Sequence, residues 1–222
     1  MMELYHSVSA RSFRALWMFE ELGLPYRLKM LPFPPRVMAR SFLELNPLGT
    51  VPLLIDGEAR LTESSAICQY LCSLVPGTPL SVQPGDAAYA SYLNWLFMSD
   101  ATLTFPLTLV LRYTHFEPPE RRQPQVVQDY TRWFLGRLKA VEAATSQREF
   151  LCADRFTAAD IAASYALMLS EFLDLREQWG PATQAYWQRL RERPAFQRSL
   201  DIEKQAAIDQ GVDPMPSPLL RP

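Results

Sequence analysis

The sequence predicts a small α/β domain followed by an all-helical one, and three observations carry that prediction. Strand-like and helix-like patterns alternate at first; a Pro- and Gly-rich stretch from Val75 to Asp86 then interrupts them; and from Ala87 onward the hydrophobic period is helical. The boundaries read 1–78 for the first domain, 79–86 for the linker and 87–210 for the helical domain. An irregular tail, 211–222, carries Pro214, Pro216, Pro218 and Pro222.

Glu3 to His6 reads as a short strand. Ser12 to Leu22 reads as a helix with Phe13, Leu16, Trp17, Phe19 and Leu22 apolar and Gly23 at the stop position. Tyr26 to Leu31 is the second strand, which Pro32, Pro34 and Pro35 break, and Arg36 to Leu45 a short helix. Leu53-Leu54-Ile55, Asp56-Gly57 and Arg60-Leu61 give strand, tight turn and strand, and a helix containing Ile67, Tyr70 and Leu71 follows. The order is βαβαββα. In the helical domain the segments are Tyr89–His115, Pro124–Gln147, Ala158–Leu173, Thr183–Arg191 and Ala195–Ile208. Phe156-Thr157-Ala158-Ala159-Asp160-Ile161 is a capping box, with Thr157 as N-cap, Asp160 three residues on and a Phe156–Ile161 staple, so Thr157 and Asp160 are assigned to stability.

A chain of 222 residues with 48% hydrophobic content can bury a substantial core. Its 22 basic and 24 acidic residues, net charge −2, create no general field for nucleic acid. No apolar run approaches the roughly 20 residues that span a bilayer, and the first residues lack the basic region and cleavage site of a secretory leader. A soluble, cytoplasmic protein is expected, with no membrane or nucleic-acid partner. Cys68, Cys72 and Cys152 lack metal-ligand spacing and read as buried residues in a reducing compartment, so no metal is expected.

Asn46 to Leu71 carries the densest chemistry. Asn46-Pro47-Leu48-Gly49 is a turn composition, and the Val51-Pro52 bond follows it; a cis bond there would turn the Val51 amide and carbonyl toward an extended peptide ligand. Glu63 and Ser64 then stand at a helix start, where unpaired N–H groups and partial positive charge suit a carboxylate and Glu63 suits an ammonium group. Together they describe a site for an α-amino acid attached to a peptide.

NPLGTVPLL followed by LTESSAICQYL resembles the glutathione-binding half of the cytosolic glutathione transferase superfamily, and LYHSVSARSFRALWMFEELGLPY resembles that family's first strand, active-site loop and first helix. The likeness is to a bacterial-type member with a serine-class-like loop. It implies a thioredoxin-like first domain, glutathione as co-substrate, a small hydrophobic electrophile as second substrate, and a homodimer. It implies that Val51, beside cis-Pro52, pairs with the cysteinyl unit and that Glu63 and Ser64 hold the γ-glutamyl end, while Arg36 or Arg40 meets the glycine carboxylate. The second domain would supply the electrophile pocket, with Trp95, Phe97, Met98, Phe105 and Tyr113 as candidates.

Glutathione chemistry needs a thiolate, and an ordinary thiol has a pKa of about 8.5, so a donor must favour the ionised sulfur. The residues after the first strand offer Tyr5, Ser7, Ser9, Arg11 and Ser12. Alignment of SARSFR through Arg14 on the serine-type loops puts Ser9 at the catalytic serine; Tyr5 is the tyrosine-type rival, Arg11 a charged alternative, and Ser12 a donor or simply the N-cap. The loop has no cysteine, which disfavours mixed-disulfide chemistry. Two other readings stay open: a family-like binding or interaction protein with little turnover, and an isomerase of the maleylacetoacetate type, whose serine-rich motif SVSARSFR resembles in part.

Overall fold

Strand β1 (Met2–His6) alternates along its length, burying Leu4 and His6 and leaving Glu3 and Tyr5 partly exposed. It is central to a four-stranded sheet of order β2-β1-β3-β4 in the computed structural model, which describes residues 1–216. β2 (Tyr26–Met30) runs parallel to β1, with Met2 opposite Tyr26 and His6 opposite Met30; β3 (Leu53–Asp56) runs antiparallel to β1 and pairs with β4 (Ala59–Leu61). Asp56 pairs with Ala59, so the turn residues are Gly57 and Glu58, one position on from the expected Asp56-Gly57.

Helix α1 (Phe13–Leu22) links the parallel strands and stops at Gly23, which takes φ 64° and donates its N–H to the Phe19 carbonyl. The single helix expected over residues 36–45 is instead α2 (Pro35–Met38) and a 3-10 turn (Arg40–Glu44), parted at Ala39, whose φ of −139° is not helical. The break lets Ala39 and Phe42 join an apolar cluster with Ala10, Val51, Leu53 and Tyr5.

Asn46 builds the next turn. Its side chain accepts from Leu48 N at 3.1 Å and donates to the Thr50 carbonyl at 2.8 Å, and its carbonyl accepts from Gly49 N at 2.8 Å. Gly49 has φ 61°, and an added Cβ would lie 2.6 Å from Arg36 Cβ and 2.9 Å from Leu43 Cδ2. A Gly49→Ala change combines left-handed strain of about 1–2 kcal/mol with overpacking of about 1–3 kcal/mol. A loss of roughly 2–4 kcal/mol in urea unfolding is expected; a loss under about 0.5 kcal/mol would contradict it. Helix α3 (Ser64–Ser73) buries Ser64, Ile67, Cys68, Leu71 and Cys72, one helical face.

The described chain divides into two compact units: Met1–Pro76 with the residues from Glu192 onward, and Gly77–Arg191. The second unit holds α4 (Tyr89–Met98), α5 (Phe105–Leu111), α6 (Pro124–Thr145), α7 (Ala158–Phe172) and α8 (Pro181–Arg191). Two π-helical segments, Ser99–Thr104 and Arg112–Phe116, interrupt what reads in sequence as one helix over 89–115. Helix α7 opens on the capping box: Thr157 Oγ accepts from Ala159 N at 3.3 Å and Thr157 N donates to Asp160 Oδ2 at 2.8 Å. Glu142 of α6 caps α8, accepting from Ala182 N, Thr183 N and Thr183 Oγ; these bonds hold its carboxyl below the usual range although burial opposes them.

The first unit is completed by α9 (Pro194–Asp209). Phe196 lies edge-on to the rings of Phe13 and Trp17, at 5.3 and 4.9 Å, and Arg193 grips Glu21 with two bonds of 2.7 and 2.8 Å. Gln210 accepts from Met30 N at 2.9 Å and donates to the Leu28 carbonyl at 3.1 Å, so its side-chain amide covers part of the β2 edge. Sequence periodicity groups α9 with the preceding helices in 87–210, because it reports which face is apolar and not what that face meets. Residues 211–216 form no regular element; the rest of the 211–222 tail lies outside the described residues. No helix among the described residues is long and apolar enough to cross a membrane.

Candidate functional site

The segment between β1 and α1 turns tightly, with Ala10 N donating to the Ser7 carbonyl at 3.1 Å, and Ser9 takes φ 53°, a left-handed conformation uncommon for a residue with a Cβ. Ser9 N donates to Glu203 Oε2 at 3.0 Å, and Ser9 Oγ donates to Glu203 Oε1 across a longer 3.4 Å. Ser12 does not cap α1 with its side chain; its Oγ meets His6 Nδ1 at 2.7 Å and accepts from Ser7 N at 3.3 Å. Buried Ser7 Oγ has no partner among the described residues. Tyr5 packs against Phe42 at 5.4 Å, and its phenol is raised above the ordinary value by desolvation first and the Glu3 carboxylate second. A proton held that firmly suits a donor and opposes a phenolate. Arg11 is half-buried.

The peptide-like half of the site is built by the turn after Asn46. The Val51-Pro52 bond is cis, as is Phe33-Pro34, and no hydrogen bond within the described residues takes the main-chain amide or carbonyl of Val51. Those two groups can pair with an extended ligand. Glu63 occupies the N-cap of α3 with no side-chain cap bond and an exposed carboxylate, open to a ligand ammonium. Ser64 begins the helix, nearly buried, and its Oγ accepts from Arg14 Nη1 at 2.9 Å. Because the Arg14 guanidinium only donates, the Ser64 hydroxyl cannot give its own proton back to it and is left able to donate to another acceptor, such as a carboxylate at the helix start.

Arg36 and Arg40 are exposed, and neither side chain makes a hydrogen bond or ion pair among the described residues. The shared apolar cluster ties these parts together: Ala10 beside Ser9, Val51 beside Pro52, and Ala39 and Phe42 flanking Arg40. Of the side chains expected around the electrophile, Trp95 is buried in the core of the second unit, Phe97 and Phe105 are exposed, and Met98 and Tyr113 are intermediate. Tyr113 lies in a π-helical segment, a distortion frequent at functional sites. The three cysteines are free and buried; burial pushes Cys152 up to about 11 and Cys72 up to about 12, and raises Cys68 as well. None of the three is placed to supply a ready thiolate.

Sequence reasoning missed Arg14, His6 and Glu203 as site residues. Arg14 enters it only as an alignment point, although a guanidinium on the apolar stripe of α1 must find a polar partner. Glu203 shares the buried stripe Phe196, Ser199, Glu203, Ala207, and a carboxylate on such a stripe is a signal that the first strand's buried His6 could have answered.

Comparison with known proteins gives this arrangement its place. The family model for the glutathione S-transferase N-terminal domain matches residues 8–74, and that for the glutathione S-transferase C-terminal domain matches 108–194. Glutathione S-transferase 3 of Zea mays is 31% identical over 172 residues, 72% of this chain and 74% of its own length. The chain belongs to the glutathione S-transferase family. The transferase is also similar to the probable glutathione S-transferase GSTF2 of Oryza sativa subsp. japonica, 28% identical over 93% of this chain and 99% of that one. Among solved structures, Ure2p5 of Phanerochaete chrysosporium, cocrystallised with 1-(S-glutathionyl)-2,4-dinitrobenzene, superposes with a TM-score of 0.80 at 26% identity, covering 94% of this chain and 96% of that one. The βαβαββα unit is therefore the thioredoxin-like, glutathione-binding domain of a glutathione transferase, and glutathione is its co-substrate.

Proposed function

We propose that this transferase holds glutathione on Val51, Glu63 and Ser64, activates its thiol through a serine-type loop with Ser9 as donor, and conjugates it to a small hydrophobic electrophile. The observation that carries the reading is the state of the three holding groups: an unpaired Val51 main chain, an open Glu63 carboxylate, and a Ser64 hydroxyl that accepts from Arg14 and is left able to donate. Val51 pairs with the cysteinyl unit, Glu63 takes the γ-glutamyl ammonium group and Ser64 the γ-glutamyl carboxylate. The glycine carboxylate falls to Arg36 or Arg40, both exposed cations. Conjugation then needs only a favoured thiolate and a positioned electrophile.

A panel of electrophiles tests the second substrate. Aromatic halides such as 1-chloro-2,4-dinitrobenzene are the first choice, because Ure2p5 was crystallised with the matching conjugate; hydroperoxides and maleyl acids complete the panel. Glutathione titration, with ultraviolet detection of the bound thiolate, should saturate in the millimolar range or below. In the Ser64→Ala variant the dissociation constant should rise about 10- to 100-fold, as for loss of a hydrogen bond to a charged group. Absence of binding at millimolar glutathione would sink the reading. Binding without turnover on any class would select the non-catalytic alternative; turnover of maleyl acids alone would select the isomerase.

The dimer expected for this family is supported here by the exposure of Phe97 and Phe105, at 75% and 52%. Sedimentation should give twice the 25.4 kDa chain mass. Three free cysteines support a cytoplasmic setting.

A further inference from the structure

We infer that Glu203, on the last helix of the first unit, is a positioning residue that sets the Ser9 hydroxyl for the thiolate, an assignment that rests on Ser9 being the donor. Glu203 lies 197 residues from His6 and 194 from Ser9, yet every side-chain hydrogen bond it makes among the described residues goes to one of those two. Its Oε2 accepts from His6 Nε2 at 2.9 Å and from Ser9 N at 3.0 Å.

Proton accounting shows how the chain of bonds closes. Nε2 faces a carboxylate and therefore carries hydrogen. Nδ1 of a neutral ring then accepts the Ser12 hydroxyl proton, and Ser12 Oγ in turn accepts from Ser7 N. Residues 7, 9 and 12 of the loop are thus fixed through one imidazole and one carboxylate. The bonds to Glu203 are unequal. The main-chain bond at 3.0 Å holds Ser9 in its φ 53° conformation, whereas the hydroxyl bond at 3.4 Å is long enough to be exchanged for a sulfur acceptor without releasing the backbone.

Docking of α9 does not need this carboxylate. Phe196 against Phe13 and Trp17, Arg193 on Glu21, Arg198 on Glu20 and Gln210 on β2 already hold the helix. An apolar residue at 203 would fill the same space without the cost of burying a carboxylate. What the carboxylate adds is directed at the loop.

The test is a double-mutant cycle in the full-length protein, with Ser9→Ala, Glu203→Gln and the pair. Readouts are kcat, KM for glutathione and the thiolate absorbance of the bound tripeptide at fixed pH. Glu203→Gln should lower kcat at least about fivefold, lower the thiolate signal in step, and leave KM within about twofold. In the Ser9→Ala background it should cause no further fall in kcat, because the two residues act as one unit. If Glu203→Gln does not fold, Glu203→Asp, which keeps the charge and retracts it by one methylene, carries the same cycle. Full turnover in Glu203→Gln beside a defective Ser9→Ala would overturn the inference and leave Ser9 as donor, as would losses that multiply. Full turnover in Ser9→Ala would remove the donor reading, and the role of Glu203 with it.

Discussion

The Asp160→Ala variant should unfold with a stability about 3–5 kcal/mol below that of the parent chain, as when a buried charged partner is removed. The Asp160 carboxylate is fully buried and accepts four hydrogen bonds: Leu151 N at 2.9 Å and Tyr186 Oη at 2.8 Å on Oδ1, Thr157 N at 2.8 Å and Thr157 Oγ at 3.2 Å on Oδ2. Truncation orphans all four donors away from water. Thr157→Ala removes one cap acceptor and should cost only about 1 kcal/mol. Urea melts of the two variants separate the effects, and equal losses would contradict this account. Burial pushes the Asp160 carboxyl up to about 6 from an ordinary 3.8, although its hydrogen bonds pull the other way. A raised value in the folded state means that this group's stabilising contribution is complete below about pH 4 and is lost as pH rises through about 6. Relative to Asp160→Asn, the parent chain should therefore lose roughly 1–3 kcal/mol between those pH values and run parallel above them. A pH-independent difference would show that the four donors keep the carboxyl at its ordinary value.

In Ser9→Ala, turnover should fall at least about tenfold with glutathione affinity almost unchanged, because a hydroxyl donor contributes more to a sulfur carrying full negative charge than to a neutral thiol. The backbone amide of residue 9 remains in the variant, so its bond to Glu203 can survive. Tyr5→Phe is the control. Its ring is held against Phe42 and the apolar cluster with or without the phenol oxygen, so folding is preserved. A tenfold loss in Tyr5→Phe, with Ser9→Ala active, would transfer the donor role to the strand.

The turn after Asn46, the cis Val51-Pro52 bond and the start of α3 were legible in sequence because their signals are local. Asn46, Gly49, Pro52 and the α3 start act within four or five residues of themselves, and proline, turn chemistry and helix ends leave fixed marks at that range. Thr157 and Asp160 are legible for the same reason. The loop was only half legible: residue types showed which hydroxyls it carries, but the direction of the Ser9 hydroxyl depends on Glu203, nearly the whole chain away. Helical periodicity could not reveal the π-helical segments either, because one extra residue per turn shifts the apolar face without removing it. Neither could it assign α9 to the first unit, since a buried stripe of Phe196, Ser199, Glu203 and Ala207 fits any apolar neighbour.

The membership of α9 in the first unit has a consequence for the order of events on the ribosome. The sheet and α1 to α3 are complete once Pro76 has emerged, whereas α9 begins at Pro194. At about 5–20 residues per second, that gap lasts roughly 6 to 24 seconds. During this interval the hydrophobic rings of Phe13 and Trp17 lack Phe196, and the imidazole of His6 lacks its carboxylate. The nascent glutathione domain therefore passes through a state with an uncovered aromatic face and an unanchored loop, and its last helix is also its final act of assembly.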